Sequence, residues 1–285
     1  MTDLIEARGL ARSFGSTRAL DGATFRVGEG RIVGLIGPNG AGKTTALKAI
    51  LGLCRYEGEL KVLGRDPFKE RHQLMQEVCF IADVAVLPRW MRVDQLVELT
   101  AHTHPRFRRE ICEDFLKRTD IKRNSRVRQL SKGMITQLHL ALIMAIDARL
   151  LVLDEPTLGL DILMRKQFYD TLLNEYFDGH RTILVTTHQV EEVQNLLTDL
   201  LFIHRGRIVL DASMDAVSSR FLHLEAKPDR ADEARSLGPI AERKGLGRIH
   251  MIFDGVEAAR LAPFGELGTP SVADLFVAML QGDRA

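Results

Sequence analysis

Gly37-Pro38-Asn39-Gly40-Ala41-Gly42-Lys43-Thr44 stands between the apolar run Ile32-Val33-Gly34-Leu35-Ile36 and the helix-forming stretch Ala46-Leu47-Lys48-Ala49-Ile50-Leu51. The order is strand, phosphate loop, helix. A polyphosphate needs a concave array of backbone N–H donors with no side chains in the way, and glycines at the positive end of a following helix provide one. Residues Gly37 to Thr44, with Thr45 beside them, are therefore the expected nucleotide-binding set. Lys43 is placed to reach the β- and γ-phosphates, and the Thr44 hydroxyl to ligate Mg²⁺.

Working outward, short segments punctuated by turns precede the loop: Leu4 to Arg8, Ala11 to Phe14 and Ala23 to Val27. They predict a small antiparallel layer. Glu59 to Leu63 and Val78 to Ala82 read as further strands, and residues 93 to 127 as a helical insertion, with Val93, Leu96, Val97 and Phe107, Ile111, Phe115, Leu116 at helical spacing. A long apolar helix, Met134 to Ile146, leads to the strand Leu150-Leu151-Val152-Leu153. Helix 161 to 176, strand 182 to 186, helix 189 to 197 and a hairpin around Arg205-Gly206-Arg207 continue the βα alternation. The predicted fold is α/β: a P-loop NTPase core with a mostly parallel sheet, an N-terminal antiparallel β layer and a helical insertion. Residues 1–218 form this unit. Residues 219–285 read as a small α+β appendage, with strands Phe221 to Ala226 and Ile249 to Phe253, a charged helical segment Lys227 to Arg235, and an amphipathic helix Ser271 to Leu280.

The chain has 285 residues, 45% of them hydrophobic, enough for a sizeable core. Thirty-nine basic residues against 38 acidic ones leave a net charge of +1, so bulk electrostatics draw it neither to nucleic acid nor to anionic lipid. No nucleic-acid partner is expected. Cys54, Cys79 and Cys112 are widely spaced and form no C-x-x-C pair, which argues against a disulfide framework or a zinc site and for buried thiols in a reducing compartment. The start Met1-Thr2-Asp3-Leu4-Ile5-Glu6 lacks a signal-peptide pattern, and no run approaches the ~20 apolar residues of a membrane span. A cytoplasmic location, or a peripheral one through a partner, is expected.

Leu150 to Leu153 end in Asp154-Glu155, which sets two carboxylates at the C-terminal end of a strand, where open α/β sheets bind ligands. Asp154 is expected to hold the metal, and Glu155 to orient or deprotonate the attacking water while the loop and Lys43 neutralise the transferring phosphoryl group. Upstream, Leu130-Ser131-Lys132-Gly133-Met134 opens the long helix. Here the sequence resembles the ATP-binding cassette (ABC) family, whose signature is L-S-G-G-Q; Leu130, Ser131 and Gly133 match it, and Lys132 and Met134 do not. The resemblance covers roughly residues 3 to 215. It includes Thr157-Leu158-Gly159-Leu160-Asp161, similar to the family's D-loop, and Thr186-Thr187-His188, where His188 looks like the switch histidine. Phe14 falls where the family has an aromatic that stacks on adenine, and a phenyl ring offers the π face this needs.

The resemblance implies ATP and Mg²⁺ as ligands, Ser131 and Gly133 as donors to the γ-phosphate of an ATP held by a second cassette, and a homodimer with two shared sites. Where the family has a glutamine, this chain reads Phe80-Ile81-Ala82-Asp83, and Asp83 is expected to keep a metal-side role. Leu87-Pro88-Arg89-Trp90-Met91 puts the single tryptophan in a loop, either as core or, with the helical insertion, as part of the groove that receives a separate multi-span membrane subunit in family transporters. Ser271-Val272-Ala273-Asp274-Leu275-Phe276 resembles the S-L-E-D-x-F segment ending many ATPase subunits of bacterial multidrug, antibiotic and polysaccharide or lipid exporters. The implied function is the ATPase subunit of an exporter, peripheral on the inner face of the membrane. Two further readings are a soluble cassette ATPase acting in DNA or translation processes and a non-hydrolytic ATP-dependent dimerisation switch. The first lacks its long coiled coil or second cassette, and the second is opposed by the intact Asp154, Glu155 and His188.

Overall fold

The computed structural model describes residues 3–82, 87–245 and 247–282. Two long strands, β1 (Asp3–Phe14) and β2 (Thr17–Gly28), pair antiparallel. β3 (Ile32–Ile36) leaves this layer for a second sheet, and β4 (Glu57–Val62) returns to pair with β1, giving the order β2-β1-β4. The second sheet holds β5 (Val78–Ala82), β6 (Leu150–Asp154), β7 (Thr182–Thr187), β8 (Asp199–His204) and β9 (Arg207–Ser213) with β3, in the order β5-β6-β7-β3-β8-β9. All neighbours run parallel except β8 and β9, which form a hairpin.

The central strands are buried on both faces, which is why they read as continuous apolar runs. Alternation divides their side chains. Val33, Leu35, Val152, Leu184 and Leu201 face the antiparallel layer and the helix Lys43–Ile50, meeting Leu10, Leu20, Phe25, Leu47 and Ile50. Ile32, Ile36, Leu151, Leu153, Ile183 and Phe202 face the other way, toward Leu140, Phe168, Tyr176 and Leu275. Each fully buried aliphatic side chain contributes about 1.5–3 kcal/mol. The phosphate loop is thus held where the two cores meet.

In the insertion, helices Val93–Thr103 and Arg109–Lys117 pack on the helix Lys132–Met144 through Val93, Leu96, Val97, Cys112, Leu116, Leu138 and Ala141. A groove of about 280 Å³ remains between this insertion and β5, lined by Phe80, Ile81, Leu87, Thr100, His139 and Leu142. Cys79 and Cys112 are buried and desolvation pushes both thiols up to about 12, so they act as core residues. Among the described residues no helix is long and apolar enough to cross a membrane.

Beyond β9, β10 (Phe221–Ala226), β11 (Ala241–Lys244), β12 (Ile249–Asp254) and β13 (Gly265–Gly268) form a separate antiparallel sheet of order β11-β12-β10-β13. Leu224, Ala226, Met251 and Phe253 lie under the helix Ala231–Arg235 on one face. The helix Val272–Gly282 then returns to the central core: Leu275 is fully buried and Phe276 meets Phe202 of β8 edge to face, centroids 5.0 Å apart.

Several expectations shift in detail. Leu4 to Arg8 and Ala11 to Phe14 are one strand, broken in register at Gly9, whose φ of +59° marks the irregularity. β4 stops at Val62 because Leu63 turns to φ +52°. The helix predicted over 161 to 176 is α-helical at Ile162–Thr171 and widens into a π turn at Leu172–Tyr176. The predicted helix 189 to 197 keeps only the turn Val190–Val193.

Candidate functional site

β3 ends at Ile36, the loop runs from Gly37, and Lys43 begins the helix. Gly40 and Gly42 sit at φ +81° and +111°, an alternation that turns successive N–H groups toward one concave side. A Cβ on Gly42 would also lie 2.5 Å from the Ala19 carbonyl oxygen, so glycine is required there on both counts. The turn between β8 and β9 braces the loop from behind, with Gly206 N donating to the Ala41 carbonyl at 2.9 Å. Pro38 accepts from Ala41 N at 3.1 Å, which closes the loop on itself. Asn39 lies exposed on its rim.

Lys43 is buried. Its ammonium donates to the Gly37 carbonyl at 2.6 Å and lies 3.6 Å from Glu155 Oε1. Glu155 comes from the end of β6 with φ +49°, a left-handed conformation uncommon for glutamate. Its N–H donates to the Thr186 carbonyl and lies 3.2 Å from Thr186 Oγ1, which holds the strained backbone in place. Glu155 Oε2 lies 2.9 Å from His188 Nδ1 at the end of β7. Lys43, Glu155 and His188, expected from three separate motifs, therefore form one connected line.

Asp154 is the register partner of Thr186 across β6 and β7, and the Thr186 hydroxyl donates to Asp154 Oδ1 at 2.6 Å. The site thus presents a carboxylate at the strand end and an exposed threonine hydroxyl, Thr44, in the first helical turn. All of these ligand atoms are oxygen, the donor type that suits Mg²⁺. Asp83 lies outside the described residues.

Thr186 was not singled out from the sequence, since a threonine at a strand end looks like any β-branched residue. Its hydroxyl is buried and engages both carboxylate-bearing residues at once. Thr186→Val, nearly the same shape, is expected to lower kcat for ATP about tenfold, the effect of about 1.4 kcal/mol in the barrier. Steady-state phosphate release measures it, and a wild-type rate would remove Thr186 from the site.

Ser131 Oγ accepts from Met134 N at 3.2 Å and so caps the helix Lys132–Met144. A Cβ on Gly133 would stand 2.6 Å from Met164 Sδ, so this glycine admits the helix Ile162–Thr171. Asp161 caps that helix, its Oδ1 accepting from Met164 N at 2.9 Å. Ser131, Gly133 and Asp161 are joined to one another by this packing; among the described residues their polar contacts are not with the phosphate loop. Arg165, also missed from the sequence, donates to the Leu160 carbonyl, to Gln189 Oε1 and to Glu192, linking the segment before Asp161 to the turn after His188.

Phe14 is 50% exposed, with the Arg12 guanidinium 4.8 Å from its ring centroid, so it is not a core residue. Trp90 is 68% exposed and likewise not core. Ile162 and Leu163, directly after Asp161, are 85% and 73% exposed.

Residues 20–158 match the family described as ABC transporter. The chain is 32% identical over 244 residues to the daunorubicin resistance ATP-binding protein DrrA3 of Streptomyces coeruleorubidus, covering 82% of this chain and 75% of that one. It is 33% identical over 227 residues to the Nod factor export ATP-binding protein I of Rhizobium sp. (strain N33), covering 75% and 72%. Among solved structures, an ATP binding subunit of an ABC transporter superposes with a TM-score of 0.67 at 25% identity, covering 76% of this chain and 92% of that one.

Proposed function

We propose, starting from the fact that this chain belongs to the ATP-binding proteins of ABC transporters, that it drives export through a separate multi-span membrane subunit. As a family member the chain is an ATP-binding, ATP-hydrolysing subunit. The direction rests on relatives named for daunorubicin resistance and for Nod factor export. The observation that carries the hydrolytic reading is the line Lys43, Glu155, His188, with Glu155 held between a buried ammonium and an imidazole.

In this reading the loop N–H groups and Lys43 bind the phosphates, and Phe14 offers a ring face to adenine. Mg²⁺, held by Thr44 and Asp154, supplies charge neutralisation on the phosphates when bound. Glu155 takes the proton of the attacking water, and His188 holds the carboxylate and bears on the γ-phosphate. Ser131 and Gly133 serve the ATP of a second copy. The exposed Ile162 and Leu163 beside Asp161 support a homodimer, since large apolar side chains in such a place fit an interface.

The apolar groove beside His139 and Leu87, with Trp90 exposed next to it, supports a docking place for the membrane subunit and a peripheral position on the inner face of the membrane. Residues 1–218 form the cassette and 219–285 its appendage. The test is a pull-down of tagged Glu155→Gln with Mg-ATP from detergent-solubilised cells that carry the protein. A multi-span membrane protein is expected to come with it. Recovery of ribosomal or DNA-associated partners alone would replace the transporter reading with that of a soluble cassette ATPase.

A further inference from the structure

Three side chains converge on the C-terminal sheet, away from the nucleotide loop. His223 and Glu225 are two residues apart on β10 and so share a face, and His250 of β12 is the direct cross-strand partner of Glu225. His223 Nε2 lies 3.1 Å from His250 Nδ1, and His250 Nδ1 lies 3.9 Å from Glu225 Oε1. One ligand atom from each residue lies within 4.8 Å of the others. Two ligands on one tetrahedral zinc ion, each at ~2.0–2.1 Å, stand about 3.3 Å apart. The two imidazoles are already at that separation.

We propose that His223, Glu225 and His250 form a zinc site, with two imidazoles and one carboxylate as ligands and a fourth position left to water. The donor set is of the borderline type that selects zinc over Mg²⁺ or Ca²⁺. The surroundings prepare it. The two rings lie within 6° of parallel with His223 Nε2 facing His250 Nδ1, and each would ligate through that atom as a neutral imidazole with its N–H on the outer nitrogen. Arg248 lies 3.6 Å from Glu225 Oε2 and 2.9 Å from Glu266 Oε1, so it engages the outer oxygen and leaves Oε1 toward the histidines. A bound ion would pin β10 to β12, next to the helix that closes the central core.

The full-length protein is titrated with Zn²⁺ against a chromophoric chelator, and with Co²⁺ followed by visible absorption. Expected are one ion per chain, cobalt bands as intense as those of a four-coordinate site, and no thiolate charge-transfer band. His223→Gln and His250→Gln are expected to weaken binding about a hundredfold or more while far-UV circular dichroism and ATP binding stay unchanged. Glu225→Gln, about tenfold weaker, serves where either histidine variant fails to fold. Three outcomes overturn the site: equal affinity and stoichiometry in the double histidine variant, a thiolate band implicating the half-buried Cys54, or no binding at micromolar zinc.

Discussion

Glu155→Gln is expected to bind ATP and to hydrolyse it about a hundredfold or more slowly than the wild type, the range set by removal of a positioned general base. The change keeps the shape, so the contact with His188 and the left-handed backbone at 155 survive. What disappears is the negative charge 3.6 Å from Lys43 Nζ. Lys43 then has no carboxylate to leave when the phosphates arrive, so ATP affinity is retained or increased while turnover falls. The measurement pairs steady-state phosphate release with nucleotide binding on the same preparation. Wild-type turnover in Glu155→Gln would remove Glu155 from the role of base, and loss of ATP binding would make it a binding residue instead.

Acidification is expected to destabilise the protein through His139. This side chain lies in the helix Lys132–Met144, beside the groove, and is almost fully buried with Nδ1 lacking a hydrogen-bond partner. Desolvation lowers its pKa from 6.5 to about 4. The folded chain thus refuses a proton that the unfolded chain accepts. Above pH 6.5 neither state is protonated here and stability is undiminished. As pH falls from 6.5 toward 4 only the unfolded state gains the proton, and below 4 the loss levels off. The full loss is about 3 kcal/mol, with about 2 kcal/mol gone by pH 5. His104 and His223, also lowered by burial, add in the same direction. Urea unfolding at pH 7.5 and pH 5 measures the effect, and His139→Leu should flatten the dependence by that amount. An unaltered pH dependence in His139→Leu would mean that the imidazole is hydrated in solution.

The features legible in the sequence are those encoded locally. The phosphate loop, the carboxylates after β6 and His188 each depend on a few consecutive residues whose spacing states a conformation. The central strands were legible because burial on both faces leaves a continuous apolar run. Thr186 was not, since its role needs the register that sets β7 beside β6. His223, Glu225 and His250 needed the pairing of β10 with β12, which joins histidines 27 positions apart. β11 and β13 left no signal because they are short edge strands, mostly exposed or half-exposed, without apolar alternation. The π turn at Leu172–Tyr176 was invisible because its apolar residues keep a helical spacing.

The helix Val272–Gly282 shares one hydrophobic cluster with Ile32 and Ile36 of β3. The cluster that includes the strand leading into the phosphate loop is therefore completed by residues made some 240 positions later, a separation that runs from Ile36 to Phe276. Such a contact slows folding, because a long stretch of chain must be ordered before it forms. During synthesis, the core behind the nucleotide loop stays open until the helix Val272–Gly282 has left the ribosome. Chains cut short near residue 270 would then be substrates for chaperones and proteases, even with every nucleotide-binding motif in place.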